Sequence, residues 1–190
     1  IILAKPLFNG IRSSILAYSH FGENSDIPRE EQDFPIKYVF IALLALLIPV
    51  FFLYLDVIHN VGLAILLSVV MLIFGFLFSA VASYMAGIVG SSNNPISGVT
   101  IATILFSSLL LLTILGTGSG EGAAGAILIG AVVCCAAAIG GDNLQDLKTG
   151  HIVGATPWKQ QVMQIVGTLS AAAVLGLVLD ILHTAYTIGS

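Results

Sequence analysis

Charged residues make up only 8% of this 190-residue chain, against about a quarter in a soluble domain, and that scarcity excludes an ordinary water-exposed surface. The net charge is −4 and no Lys/Arg block occurs anywhere, so a nucleic-acid partner is excluded. Cysteine is nearly absent too: Cys134 and Cys135 are adjacent, with no CxxC and no Cys/His ligand spacing, which indicates neither a disulfide framework nor a zinc site. There is no GxSxG, HExxH or P-loop sequence, so nothing points to a catalytic residue, a cofactor or an enzyme. The literal GxGxxG at Gly120, Gly122 and Gly125 lacks the preceding strand its mechanism requires, and it opens an apolar run instead.

What is abundant is hydrocarbon. Hydrophobic residues are 57% of the chain, and five runs reach the roughly 20 residues a helix needs to cross a bilayer core of about 30 Å. They are 36–55, 61–90, 95–115, 122–139 and 164–185. A backbone in lipid must satisfy its own hydrogen bonds, and the alternation of a barrel strand is missing, so these runs predict an all-α, polytopic transmembrane helix bundle in contact with the lipid bilayer. Small residues at helical spacing (Ala82, Ala86 and Gly90; Ala126 and Gly130; Gly167 and Ala171) predict close helix contacts.

Asn9 to Lys37 is the longest polar stretch and reads as an aqueous loop. Threading the five spans alternately puts all six Lys/Arg residues (Lys5, Arg12, Arg29, Lys37, Lys148 and Lys159) on one side, which the positive-inside rule assigns to the cytoplasm. Ile1 to Tyr18 shows no charged n-region, apolar core and cleavage site, so no signal peptide is expected and the chain reads as a portion of a longer polytopic protein. Asp56 and Asp180 fall near span ends, where water is in reach; His59 and His183 lie there as well, and His20 and His151 lie in loops.

Polar side chains concentrate at two helix breaks. In SSNNPISG (Ser91 to Gly98), Asn94 is predicted as an N-cap and Pro95 as the first helical residue; Asn93, Asn94 and Ser97 then surround a helix N-terminus, a place that favours anionic groups. In the segment 140–161, Asp142 and Gln145 have capping-box spacing, predicting a helix of about two turns closed by Gly150. Asp142 and Asp146 would share one face of it, a like-charge arrangement that calls for a proton, a cation or Lys148 to compensate. Asn143, Thr149 and His151 complete this set, with His151 a candidate proton acceptor. Two readings of each break stay open: an interfacial connector, or a polar patch lining a substrate path, since irregular polar backbone is tolerated at membrane depth only where it is buried or lines a cavity. A fifth helix is expected to start at Thr156 and Pro157, with Trp158 at the interface.

GDNLQDLKTG (Gly141 to Gly150), followed by Thr156, Pro157 and Gln161, resembles the signature of the oligopeptide transporter family, whose yellow-stripe-like branch carries a similar GD..QD.KTG run before an S/T-P pair. NNPISG (Asn93 to Gly98) is similar to the family's segment that precedes it. The resemblance implies secondary active import, typically coupled to protons, of small peptides or of metal complexes with small organic chelators, so that a metal would arrive as a chelate. It also implies more spans than five, the remaining ones packing with these. Asp142, Gln145, Asp146, Lys148, Thr149 and Gly150 match the signature, whereas Asn143, Leu147 and His151 depart from the yellow-stripe-like form and imply a bacterial-type member in the inner membrane. A passive channel would need a filter or a charged ring, neither of which is present, and a scaffold has no use for Asn, Asp, Gln and Lys at helix breaks.

Overall fold

The computed structural model describes residues 28–187. Most of the predicted loop, with Arg12 and His20, lies outside the described residues, as does Lys5 before it. Its visible end is a 3-10 turn, Arg29–Glu31, and an extended run to Pro35, after which Lys37 already belongs to the first helix. Five helices follow: α1 (Ile36–Ile58), α2 (Val61–Val89), α3 (Ile96–Leu115), α4 (Gly120–Ile152) and α5 (Pro157–Tyr186). Each is long and apolar enough to cross a membrane, and no strand occurs among the described residues.

The turns follow from local chemistry. Between α1 and α2, His59 takes a left-handed conformation and the Asn60 side chain accepts from Leu63 N at 3.1 Å, satisfying one of the four free amides of the α2 N-terminus. Between α3 and α4, Gly116 and Gly118 supply the positive φ that other residues resist, and Ser119 Oγ accepts from Gly122 N at 3.2 Å. After α4, Gly154 at φ +73° turns the chain into Thr156 and Pro157, which start α5 as predicted.

Helix α4 is the axis of the bundle, packed along both α2 and α3. Its glycines explain the closeness. A Cβ on Gly125 would meet Ile58 Cδ1 at 3.1 Å and Leu67 and Leu111 Cδ1 at 3.4 Å, so α1, α2 and α3 converge on α4 at that level. One turn further, Gly130 accommodates Ile104, whose Cδ1 would lie 2.9 Å from an added Cβ. Around them Tyr54, Leu67, Leu111, Ile129 and Val133 are fully buried. Of the small residues picked from spacing, Ala82, Ala86, Ala126 and Gly130 are buried, while Gly167 and Ala171 on α5 are exposed.

Two predicted boundaries are corrected. Gly140 to Ile152 is no separate two-turn helix: α4 runs through it without a break for 33 residues, so Asp142 caps nothing and Gly150 closes nothing. An uninterrupted backbone ladder, with Gly140 and Gly141 packed against α2 and the Asn94 side chain, keeps these poor helix formers helical. The linker between α4 and α5 therefore shrinks to 153–156. Likewise α3 starts one residue late, with Pro95 before its first turn, and Asn94 instead ends a 3-10 turn, Ser91–Asn93. Its side chain is committed elsewhere.

Candidate functional site

At the end of the bundle where α4 turns into α5, the polar half of α4 extends past the start of α3 and is shared between three neighbours. The first is Asn94. Its Nδ2 donates to Ala137 O at 3.4 Å and its amide sits over Gly141, where a Cβ would overlap Nδ2 and stand 3.3 Å from Cγ. Its Oδ1 is buried without a partner. The two sequence motifs, far apart in the chain, thus meet side chain to backbone. Asn93, by contrast, is exposed and folds back onto Val89 O at 3.4 Å, and Ser97 is exposed on the first turn of α3.

The second neighbour is α2. Ser79 Oγ donates to Ala136 O at 2.9 Å, and a Cβ on Gly140 would lie 2.6 Å from both Ser79 Oγ and Ser83 Oγ. One turn on, Leu144 packs over Gly87, and Lys148 Nζ donates to Gly87 O at 3.3 Å. Lys148 is therefore directed to a helix C-terminal carbonyl, a favourable place for a cation, instead of to either aspartate.

The third neighbour is α5, and here the acidic segment acquires its geometry. Gln164 Nε2 donates to Asp146 Oδ2 at 3.0 Å, and Gln160 Nε2 donates to Asp146 O at 3.3 Å while its amide covers Gly150 closely enough that an added side chain would displace it. Asn143 is one turn from Asp146 on the α5-facing side, and both its Oδ1 and Gln160 Oε1 are buried without partners. Asp142, Gln145, Asp146, Lys148, Thr149 and His151 are all exposed; Thr149 Oγ1 turns back to Gln145 O at 3.0 Å. Asp142 and Asp146 share a side of α4, as their spacing requires, but only Asp146 is engaged by the next helix.

The elbow is also held from the N-terminal side. Arg29 Nη2 donates to Gly154 O at 2.7 Å, Phe34 N donates to Gln161 Oε1 at 3.0 Å, and Gln161 Nε2 reaches Asp33 Oδ1 at 3.5 Å. Trp158 N, one of the free amides at the start of α5, donates to Gln32 O at 3.1 Å. Sequence reasoning missed Gln160, Gln164, Ser79, Ser83 and this strap. The first two pairs had a signal, polar residues four apart in apolar helices; the strap's main-chain contacts had none.

Comparison with known proteins agrees with these motifs. The family model described as OPT oligopeptide transporter protein matches residues 1–190. The chain is 37% identical over 209 aligned positions to a Haemophilus influenzae protein named "Putative oligopeptide transporter", an alignment covering 98% of this chain and 32% of that protein. The chain thus spans about a third of the length of this relative. No solved structure matches.

Proposed function

The chain belongs to the OPT oligopeptide transporter family, and from that premise we propose that the full-length protein is a secondary active transporter, importing small peptides with proton coupling, whose substrate path is bordered by the α4–α5 elbow. The observation that supports the site is the set of groups between α4 and α5: the Asp146 carboxylate held by Gln164, with the Asn143 and Gln160 amide oxygens left without donors. These are acceptors in excess. They suit a proton, or an amine end of a substrate, once the elbow moves to admit it. The Asn94 break, seated on Gly141, brings the N-terminal end of α3 to the same region, in the manner of broken helices at transporter sites. Metal chelates remain the second substrate class because GD..QD.KTG is shared with the yellow-stripe-like branch, and a bacterial plasma-membrane location belongs to the same reading.

Uptake by the full-length protein in proteoliposomes, with and without an inward proton gradient, tests the proposal. Accumulation of a labelled di- to hexapeptide above the equilibrium level is the expected result; equilibration alone means a passive pore. Competition by an iron–chelator complex assigns the second class. Asp146→Asn keeps an oxygen for Gln164 but removes the charge, so gradient-driven uptake is expected to fall with folding intact. If Asp146→Asn and Asp142→Asn both transport at the wild-type rate, the acidic pair is structural.

A further inference from the structure

Two hydroxyl groups lie inside the bundle with no partner on the protein. Tyr54 on α1 and Ser107 on α3 are both 0% exposed, and neither Tyr54 OH nor Ser107 Oγ makes a hydrogen bond. Buried polar side chains are almost always paired, because an unsatisfied hydroxyl forfeits the hydrogen bonds it makes in water. Ser107 also breaks a local pattern. Ser68, Thr100, Thr103 and Ser170 each donate to the carbonyl four residues back on their own helix, whereas Ser107 leaves that of Thr103 unused. Its hydroxyl is turned away from its own backbone.

The packing at Gly125 brings the two together. Ile58 on α1, Leu67 on α2 and Leu111 on α3 all reach within 3.4 Å of the position a Cβ would take there. Tyr54 is one turn before Ile58, and Ser107 one turn before Leu111. Helix α3 is antiparallel to α4, since Leu111, Ile104 and Asn94 meet Gly125, Gly130 and Gly141 in turn. Helix α1 has the same sense as α3: the turn at His59 and Asn60 reverses it into α2, which runs parallel to α4, with Leu67 at Gly125 and Gly87 at Leu144. Stepping back one turn on α1 and on α3 therefore moves both side chains the same way along α4, to the level of Ile129, itself fully buried. Both also lean toward the N-terminus of their helix, again in the same direction. Ser68 and Thr103, buried hydroxyls that neighbour Leu67 and Ser107 along α2 and α3, border this level. Each has given its proton to its own helix and keeps lone pairs to accept with.

We infer that one buried water molecule is bound at this level, hydrogen-bonded to Tyr54 OH and Ser107 Oγ with Ser68 or Thr103 as a third partner, and that it joins α1 to α3 through the interior of the bundle. Water suits the site because its partners are hydroxyls that need both a donor and an acceptor, and a buried water makes about three hydrogen bonds. An ion does not, since the buried residues among those described include no charged side chain to neutralise it. The link falls where α1 needs it. Within α1 the contacts with the core begin only at Leu47, so the helix is held by its last turns, to which Tyr54 belongs.

The test uses the full-length protein. In a cryo-EM map that resolves ordered water, a peak is expected within about 3.2 Å of both Tyr54 OH and Ser107 Oγ. A map that shows other buried waters but none here, or the two hydroxyls in direct contact, overturns the proposal. Thermal unfolding in detergent gives an independent reading. Tyr54→Phe and Ser107→Ala each remove one partner of the water, so each is expected to lower the midpoint by a few degrees, and the double variant by no more than the larger of the two. Strictly additive losses, or a midpoint raised by either single change, mean two unrelated hydroxyls in a dry core and overturn the proposal. Should a variant fail to fold, the map of the unaltered protein decides. Neither reading uses uptake, so their failure leaves the transport reading untouched.

Discussion

Replacing Gly141 by Ala inserts one methyl group where α4 meets Asn94. The new Cβ would overlap Asn94 Nδ2 and lie 3.3 Å from its Cγ, while Ala86 Cβ at 3.5 Å is in ordinary contact, so it is the Asn94 side chain that has to give way. Relief requires the Asn94 amide to move, which breaks its bond to Ala137 O. Overpacking contributes about 1–3 kcal/mol of destabilisation. The lost hydrogen bond adds about 0.5–1.5 kcal/mol. Against these stands the better helix propensity of Ala, about 0.8–1.0 kcal/mol. The net expectation is a loss of about 1–3 kcal/mol. Gly75→Ala in the middle of α2 is the matched control, because nothing lies within 4 Å of its added methyl, and it should be neutral or gain up to about 1 kcal/mol. Both variants, made in the full-length protein, are compared by thermal unfolding in detergent, where opposite signs are expected. Combining Gly141→Ala with Asn94→Ala should cost less than the two losses added, since the second change removes the clash created by the first. A Gly141→Ala protein as stable as Gly75→Ala, or strict additivity in the double variant, would refute the Asn94–Gly141 contact.

Gly130→Ala should destabilise the bundle by about 1–3 kcal/mol through its overlap with the Ile104 side chain, and Ile104→Ala, which removes the overlapping γ carbon, should cost less in that background than in the wild type in the same unfolding assay. Gln161→Ala removes the groups that meet Phe34 N and Asp33, so trypsin cleavage after Arg29 in oriented vesicles should accelerate severalfold; an unchanged rate would mean that the strap is held by other contacts. Sidedness is checked by single cysteines at Ser25 and Thr117, which should react with an impermeant maleimide from opposite faces of the membrane, and reaction from the same face would overturn the threading built on the Lys/Arg distribution.

Apolar runs of spanning length and a near absence of charge left helices as the only way to satisfy the backbone, so the all-α class and the number of spans among residues 28–187 were legible from composition. The family was legible from NNPISG and GDNLQDLKTG because signature motifs are local strings. Where helices end was less so. The apolar run 122–139 and the capping-box spacing at Asp142 read as two helices, yet α4 passes straight through Gly140 and Gly141, since their lack of side chains admits Ser79, Ser83 and Asn94 and the packing outweighs the propensity. The partners of Asp146 and Lys148 belonged to tertiary structure alone: the nearest opposite charge in sequence gave way to Gln164 on α5 for one and to Gly87 O on α2 for the other. Spacing along the chain fixes position within one helix, whereas a side chain's partner is set by how one helix is registered against the next, and that register is fixed by contacts between residues far apart in the chain.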